Sequence, residues 1–422
     1  MKKCVVVDPS IYQISNSPIG ELTNLLSSLD IEIDYTFTQQ LSKPHSSTYV
    51  GRGFLYQVKT YIDNADIKLV CFNNDLTPLQ ISNISQILDC EVYDRSMVIL
   101  KIFALRANSK EAKLQVEVAY LKYMANRLID SNKNYSQVTS GGAGGVTNRG
   151  SGEKEINIKR YLIKKQIKDK EDELQKMVLL RKNQRKERKS SLPVVAIVGY
   201  TNAGKSTLMN NFIRLGENDK KQKILEENRL FATLSTTTRY IKMKNHYPFL
   251  LTDTVGFISS LPTPLIKAFR STLEEIKEAD LLIHVVDCST GHVYEDCKVT
   301  MDTLKEIGVD NKKMIYLYNK VDLRDTPFIP FVDEDELIVS LKDDSYMEDI
   351  ASLIDSYLED FYFEVSLLIP FENSSDFYKI QNEEAIVEIK QNDLGYDIVA
   401  KIAKSNYKYY SKYLKLKQEL LK

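Results

Sequence analysis

The sequence predicts an α/β protein in which two layered domains with mostly parallel sheets flank a long helical hairpin. Three observations carry this prediction. Residues 1–105 alternate short β-branched runs ("CVVVD", "IEIDYTF", "IKLVCFNND", "CEVYD") with helical stretches, the texture of an α/β layer with a parallel sheet. After Pro193 a second such block has "VVAIVGY", "FLLTDTVG", "LLIHVVD" and "MIYLYNKVD" as its strands. That is a doubly wound pattern, whose functional loops belong at the strands' carboxyl ends. Between the blocks lie two long charged stretches, each with an apolar stripe at helical spacing.

In the first of these stretches Leu114, Val118, Leu121, Ala125 and Leu128 recur at alternating steps of four and three. The second, from Glu153 to Lys189, carries the sparser stripe Ile156, Ile163, Ile167, Leu174 and Val178 and ends in the basic cluster "RKNQRKERK". Two narrow stripes with a break between them predict an antiparallel hairpin. The break is "SGGAGGVTNRGSGE", residues 140–153, too rich in glycine to hold a helix or strand. Composition alone describes a flexible linker. Arg149 and Glu153 among the glycines, and the two helices they join, place it instead at the hairpin tip. After about residue 360, "FEVSLLIP", "AIVEIKQND" and "YDIVAKIAK" predict a small sheet with one helix between its first two strands, followed by a tail helix in "YKYYSKYLKLKQELLK". The expected limits are 1–108 for the N-terminal α/β domain, 109–190 for the hairpin, 191–358 for the second α/β domain and 359–422 for a small α+β domain.

The 422 residues leave room for two to four domains. With 57 basic and 58 acidic side chains, net charge argues neither for nor against a nucleic-acid partner, and only its distribution can. The basic cluster could be a solvated helix end; concentrated on one arm of a charge-balanced protein, it fits RNA phosphates better. Cysteines 4, 71, 90, 288 and 297 show no CxxC pairing and read as reduced thiols, not a disulfide frame or zinc site. The apolar run of "MKKCVVVDPSIYQ" is too short for a signal peptide, and Lys101 breaks "MVILKIFAL". A cytoplasmic protein without integral membrane association is expected.

"GYTNAGKST", residues 199–207, follows the strand "VVAIV" and opens a helix. Gly199, Tyr200, Thr201, Asn202, Ala203, Gly204, Lys205, Ser206 and Thr207 thus form a phosphate loop in its required context. Its backbone N–H groups and the helix N-terminus favour phosphate. Lys205 reaches the β- and γ-phosphates, and the Ser206 hydroxyl ligates Mg²⁺. Asp253 ends the next strand as the outer-sphere Mg²⁺ anchor. Thr254, Val255 and Gly256 follow it, and the Gly256 N–H can sense the γ-phosphate. In "NKVD", Asn319 suits the guanine O6/N7 edge, the Lys320 stem can cover the base, and Val321 leads to Asp322. The Asp322 carboxylate accepts from guanine N1–H and N2–H₂, whereas adenine would leave it unpaired. The nucleotide is therefore GTP. Ser340, Leu341 and Lys342 form the base-backing loop, with Ser340 and Leu341 N–H groups offered to O6. Between these motifs "LFATLSTTTRY" must supply a Thr to close over Mg²⁺ and γ-phosphate; by spacing, Thr233, Thr237 and Thr238 compete. His284 reads as a packed strand residue, and the tail tyrosines as packing groups more than base-stacking ones.

The chain resembles the HflX family of translational GTPases, within the larger Obg–HflX group. The resemblance runs through "YVGRGFLYQV", "DRSMVILKIFALRA", "KLQVEVAYLKY", the glycine-rich loop, "GYTNAGKSTLMN", "FATLSTTTR", "DTVGFI" and "NKVD", nearly the whole chain. It implies a ribosome-associated GTPase that contacts the large subunit near the peptidyl-transferase region and can split stalled or idle ribosomes under stress; a monomer is expected. It also implies that Thr233, within Phe231, Ala232, Thr233, Leu234 and Ser235, is the Mg²⁺ ligand. Lys205, Thr233 and Gly256 then carry catalysis. Gly141, Gly142, Gly144, Gly145, Arg149, Gly150 and Gly152 would meet rRNA. Two departures stand out: "GSGE" has Ser151 where the family has Pro, and "FATLSTTTR" has Ser-Thr where the family has Asp-Pro. Asn202 in "NAGKS" matches an arrangement seen in potassium-stimulated GTPases, so K⁺ is a further expected ion. Ras-type switches place a water-orienting Gln after the Asp-x-x-Gly glycine. Here that position is Phe257, as is normal for the family, so hydrolysis is expected to be slow alone and completed on the ribosome. The competing readings are a large-subunit assembly factor and a scaffold that never turns GTP over.

Overall fold

The computed structural model describes residues 2–11, 19–138, 149–188, 192–216, 237–254, 256–257, 276–309, 311–330 and 335–415. It divides into two compact units, one mainly within Met1–Val178 and the other mainly within Leu179–Lys422.

In the first unit, β1 (Lys2–Ile11), β2 (Ile31–Leu41), β3 (Leu69–Phe72) and β4 (Glu91–Tyr93) form a parallel sheet in the order β2-β1-β3-β4. The central β-branched runs are buried because helices cover both faces of such a sheet. Val5, Val7, Val70 and Phe72 pack with Leu55, Val58 and Ile62 of α2 (Arg52–Asn64) and Ile84 and Leu88 of α3 (Pro78–Leu88). The start of α3 is set locally: Thr77 and Gln80 form a reciprocal capping box, with Pro78 in the first turn. Helix α1 (Ile19–Ser27) buries Leu22, Leu25 and Leu26, and Asp94 caps α4 (Arg95–Arg106) by accepting from Met97 N–H at 2.8 Å.

Helices α5 (Lys110–Val138) and α6 (Arg149–Arg188) form the expected pair. Lys110 pairs with Glu173 at 2.6 Å, and Glu117, further along α5, pairs with the earlier Lys170 of α6. The opposed order makes the helices antiparallel. Leu114 and Val118 of the predicted stripe are buried, as are Val116 and Ala119 beside them. At 1.5 Å per residue, the 40 residues of α6 span about 60 Å. One expectation is corrected. Arg149, Gly150 and Gly152, assigned to the tip loop, lie in the first turn of α6, which starts four residues before Glu153. Two glycines cost a helix only about 1 kcal/mol each, which the long helix that follows can offset. Gly141, Gly142, Gly144 and Gly145 lie outside the described residues.

The second unit is built on a six-stranded sheet in the order β10-β9-β8-β5-β7-β6. Its strands are β5 (Val194–Val198), β6 (Thr237–Ile241), β7 (Phe249–Asp253), β8 (Leu281–Asp287), β9 (Met314–Asn319) and β10 (Glu336–Ile338). All neighbours are parallel except β6 and β7. Strand β6 was not legible in "STTTRYI", a polar run whose partner β7 follows through a turn. Helices α7 (Lys205–Leu215), α8 (Val293–Glu306) and α9 (Met347–Leu358) accompany the sheet.

A three-stranded antiparallel sheet, β11 (Tyr362–Pro370), β13 (Gly395–Ala403) and β12 (Ala385–Asn392), completes the unit, with α10 (Ser374–Glu383) between β11 and β12. The continuous tail helix is not found: a turn of helix at Tyr407–Tyr410 gives way to a 3-10 turn, and Leu414 bridges to Leu367. Side chains explain this. Asp376 accepts from Tyr409 and Tyr413 hydroxyls at 2.8 and 2.6 Å and pairs with Lys412, while Tyr410 and Tyr413 fill the sheet's core. The tail folds onto the sheet, and residues 416–422 lie outside the described set.

Among the described residues, no helix is long and apolar enough to cross a membrane.

Candidate nucleotide site

The loop 199–204 joins β5 to α7 at the sheet's carboxyl edge, and its backbone angles explain its residues. Gly199 and Gly204 have φ of +144° and +109°. A Cβ on Gly199 would lie 2.2 Å from the Val285 carbonyl oxygen, and one on Gly204 2.2 Å from Asn319 Nδ2. Asn202 takes the left-handed conformation (φ 62°), which Asn tolerates better than most residues.

Lys205 opens α7 and is almost fully buried. Its Nζ donates to the carbonyls of Gly199 and Tyr200 at 3.0 and 2.6 Å. Burial pushes its pKa down to about 8, against the attraction of Asp253. Gly256 lies against this ammonium: a Cβ there would sit 2.9 Å from Lys205 Nζ and 2.9 Å from Thr201 Cγ2. Only glycine fits, and the backbone at Gly256 is thereby held beside the lysine.

Asp253, wholly buried at the end of β7, accepts from the Ser206 hydroxyl at 3.3 Å. A hydroxyl with a carboxylate behind it suits Mg²⁺, which takes few protein ligands and keeps several waters. Thr237 and Thr238, two of the three competing threonines, are strand residues of β6; Thr237 faces Asp253 in register, and the Thr238 hydroxyl meets that of Thr252 at 3.1 Å. Phe231, Ala232, Thr233, Leu234, Ser235 and Val255 lie outside the described residues. Thr254 donates its hydroxyl to the Ile197 carbonyl at 2.6 Å, fixing the chain as it leaves β7.

At the other end of the site, Asn319 is a brace. Its Nδ2 donates to the Ala203 carbonyl at 2.8 Å, and its Oδ1 accepts from Leu341 N–H at 2.9 Å. The Leu341 N–H, expected to face guanine O6, is thus engaged by Asn319, because the base-backing loop must be tied to the phosphate loop. Asp322 accepts from the Ser340 hydroxyl and from Lys342 Nζ, both at 2.9 Å. These partners, Lys342 first, lower the Asp322 pKa, so the acceptor needed for guanine is ionised at neutral pH. Lys320, at φ 69°, pairs with Asp287 at 2.6 Å. Asp287 was missed in the sequence; its signal was its place at the end of β8, an apolar strand ending in a lone carboxylate. His284 is buried in β8, and burial holds its pKa down at about 3. It is the packed, neutral strand residue expected.

Phe257 is 2% exposed and packs with Ala196, Val198, Ile276, Ala279, Leu282 and Leu304. It points into the sheet's apolar cover and offers nothing to a water.

A glycine-framed phosphate loop with a buried lysine, a strand-end aspartate beside the loop serine, and a braced Asn-Lys-x-Asp segment define a P-loop GTPase. Comparisons narrow the class. Residues 16–104 match the family model "GTP-binding GTPase N-terminal", 106–188 "GTP-binding GTPase Middle Region", and 194–320 "50S ribosome-binding GTPase". The GTPase HflX of Caldanaerobacter subterraneus is 35% identical over 385 residues, covering 91% of this chain and 87% of that one. That of Escherichia coli is 34% identical over 319 residues, covering 75% and 72%. The chain belongs to the HflX family of GTPases. A solved GTP-binding protein from Sulfolobus solfataricus, in complex with GDP, is 23% identical with a TM-score of 0.44, covering 85% of this chain and 98% of that one.

Proposed function

We propose that this GTPase binds the large ribosomal subunit and splits stalled or idle ribosomes under stress, with GTP as the switch and the α5–α6 hairpin as the tool. The observation that carries the reading is the hairpin itself: two antiparallel helices on the same chain as a P-loop GTPase domain. An arm limited by the 29 residues of α5 to about 44 Å, whose helices are joined through a glycine-rich segment, has the reach to enter a narrow RNA cavity. The basic cluster 181–189 would meet phosphates, and the family model named for 50S binding supports the choice of partner.

In the nucleotide step, the Lys205 ammonium exchanges loop carbonyls for β- and γ-phosphate oxygens, a stronger charge-assisted pairing. Ser206 and Thr233 would hold Mg²⁺, with Asp253 behind; the ion would supply charge neutralisation at the phosphates. Backbone at Gly256 senses the γ-phosphate. Asp322 and Asn319 select guanine, and Lys320, steadied by Asp287, covers the base. With Phe257 packed inward, the attacking water must be oriented by backbone or by the ribosome, so hydrolysis is slow until docking. K⁺ beside Asn202 would add positive charge; equal hydrolysis rates in K⁺ and Na⁺ would count against it. Binding to rRNA near the peptidyl-transferase region is assigned to the tip, and the protein acts as a monomer in the cytoplasm.

Sedimentation of 70S ribosomes incubated with the protein tests the reading. Free subunits should appear with GTP and not with GDP. Binding to immature large particles without separating joined ribosomes would instead make the protein an assembly factor.

A further inference from the structure

Strands β6 and β7 form a hairpin whose base lies at the nucleotide site and whose far end lies against the small C-terminal domain. One strand leaves the 217–236 segment and the other ends at Asp253, so the hairpin joins the two stretches assigned to γ-phosphate contact. Its far end is held by four contacts. Lys242, only 5% exposed, donates Nζ to the carbonyl of Gln381, and the Tyr240 hydroxyl donates to that of Glu383 at 2.9 Å. These carbonyls belong to the last turn of α10, where a helix has acceptors without intrahelical donors and the negative end of its dipole. A buried ammonium is costly unless paired, and here the helix end is its partner. On the turn side, Tyr247 stacks on Tyr362 with ring centroids 4.5 Å apart, and the Tyr362 hydroxyl donates to the Pro248 carbonyl. Both groups grip the same hairpin from one domain, α10 from the β6 side and β11 from the turn.

We propose that this grip makes the C-terminal domain a reader of nucleotide state: a shift of the β6–β7 hairpin on exchange of GDP for GTP carries α10 and the start of β11 with it. The inference rests on the reading of the flanking segments as the γ-phosphate switch. The physical reason is the stiffness of the connection. β7 is held on its other side by β5, so the strand free to respond is the edge strand β6, and a displacement at its base is carried along the backbone to Tyr240 and Lys242. There, moving without α10 would break the bond from Lys242 to the Gln381 carbonyl. Coupling is reciprocal. Loosening the grip must therefore change the ratio of GDP to GTP affinity, although none of these residues touches nucleotide.

The test uses the full chain with GDP or a non-hydrolysable GTP analogue. Hydrogen exchange at residues 237–249, 362–369 and 376–383 should differ between the two nucleotides in the parent. In Lys242→Met, which keeps the buried stem, and in the milder Tyr240→Phe, the difference should persist in the hairpin and at 362–369, still held through Tyr247 and Pro248, and should be lost at 376–383. The GDP-to-analogue affinity ratio should change by about fivefold in Lys242→Met. A parent hairpin that responds to nucleotide while 362–369 and 376–383 do not would overturn the inference and leave the switch reading intact. A hairpin that does not respond at all would overturn both.

Discussion

Thr201 of the phosphate loop donates its backbone N–H to the carbonyl of Phe257 at 2.7 Å, and Phe257 N–H returns a bond to Gly199 at 3.1 Å. The loop and the segment after Asp253 are thereby joined as a short parallel ladder, which fixes Gly256 over Lys205 and turns the Phe257 ring into the core. The position that holds a catalytic Gln in Ras-type switches serves here as an anchor.

Phe257→Gln should therefore not create a Ras-like enzyme. An amide in this apolar pocket loses ring packing and leaves polar atoms without partners, a cost of about 2–4 kcal/mol. Denaturant unfolding should show that loss, and single-turnover hydrolysis without ribosomes should not rise. A faster intrinsic rate at unchanged stability would mean that the side chain turns out towards the phosphates.

The phosphate loop, Asp253 and Asn-Lys-x-Asp were legible because each is a local pattern whose spacing is tied to one strand end. The hairpin was legible because Leu114 and Val118 keep helical period on their buried side. What stayed hidden depends on distant partners. That Lys242 caps α10 needs Gln381, 139 residues away, and no local signal links them. That Asn319 also braces the site stayed hidden because its partners, Ala203 and Leu341, come from two other loops. The start of α6 was misplaced because glycine content was weighed residue by residue, whereas a long helix tolerates poor formers in its first turn.

Asp322→Asn should weaken GTP binding by about 3 kcal/mol or more, since an amide presents a donor to guanine's donors. Ser340 and Lys342, which now bond the carboxylate, would also lose an ionic partner. Xanthine nucleotides should be partly accepted, because they offer an acceptor at that edge. Calorimetry showing unchanged GTP affinity would remove Asp322 from the site.

Proton linkage at Lys205 gives a second binding signature. Its pKa is lowered to about 8 by burial, and phosphate contacts should raise it in the complex. Below about pH 8 the ammonium is present before and after binding, so affinity is flat. As pH rises past that value, binding must take up a proton, and GTP affinity should fall by up to about tenfold per unit until the pKa of the complex is reached. Calorimetry in buffers of different ionisation heat should find uptake of about half a proton per GTP at the free-state pKa of about 8, rising towards one at more alkaline pH. Lys205→Arg should show none. Equal uptake in both proteins would place the proton elsewhere.

His246 links the β6–β7 turn to α9: Nδ1 lies 2.9 Å from Asp355 Oδ2, and Nε2 lies 3.1 Å from Glu348 Oε1. The bond to Asp355, more than that to Glu348, raises its pKa. The folded pKa thus lies above the unfolded value of about 6.5. Stability from this pair is full below the unfolded pKa and is lost as pH rises through the folded one. His246→Gln should cost about 1–2 kcal/mol at acidic pH and less above neutrality. Urea unfolding at several pH values checks this; a pH-independent loss would assign His246 a packing role alone.

The last prediction separates switch from tool. If the hairpin carries the glycine-rich segment into an rRNA cavity, small residues there let RNA backbone approach closely, and Arg149, which opens α6, can pair with a phosphate or stack on a base. GTP then governs docking through the second unit while the arm displaces its target. Replacing Gly141, Gly142, Gly144 and Gly145 with alanine, or Arg149 with alanine, should leave GTP binding and basal hydrolysis unchanged. Ribosome separation, read by sedimentation, should fall sharply, and ribosome-stimulated hydrolysis should fall less because docking through the GTPase domain persists. Binding assays on large subunits in the same variants show whether docking survives. If these variants still split ribosomes at the parent rate, residues 140–153 are only a linker and the tool lies elsewhere on the chain.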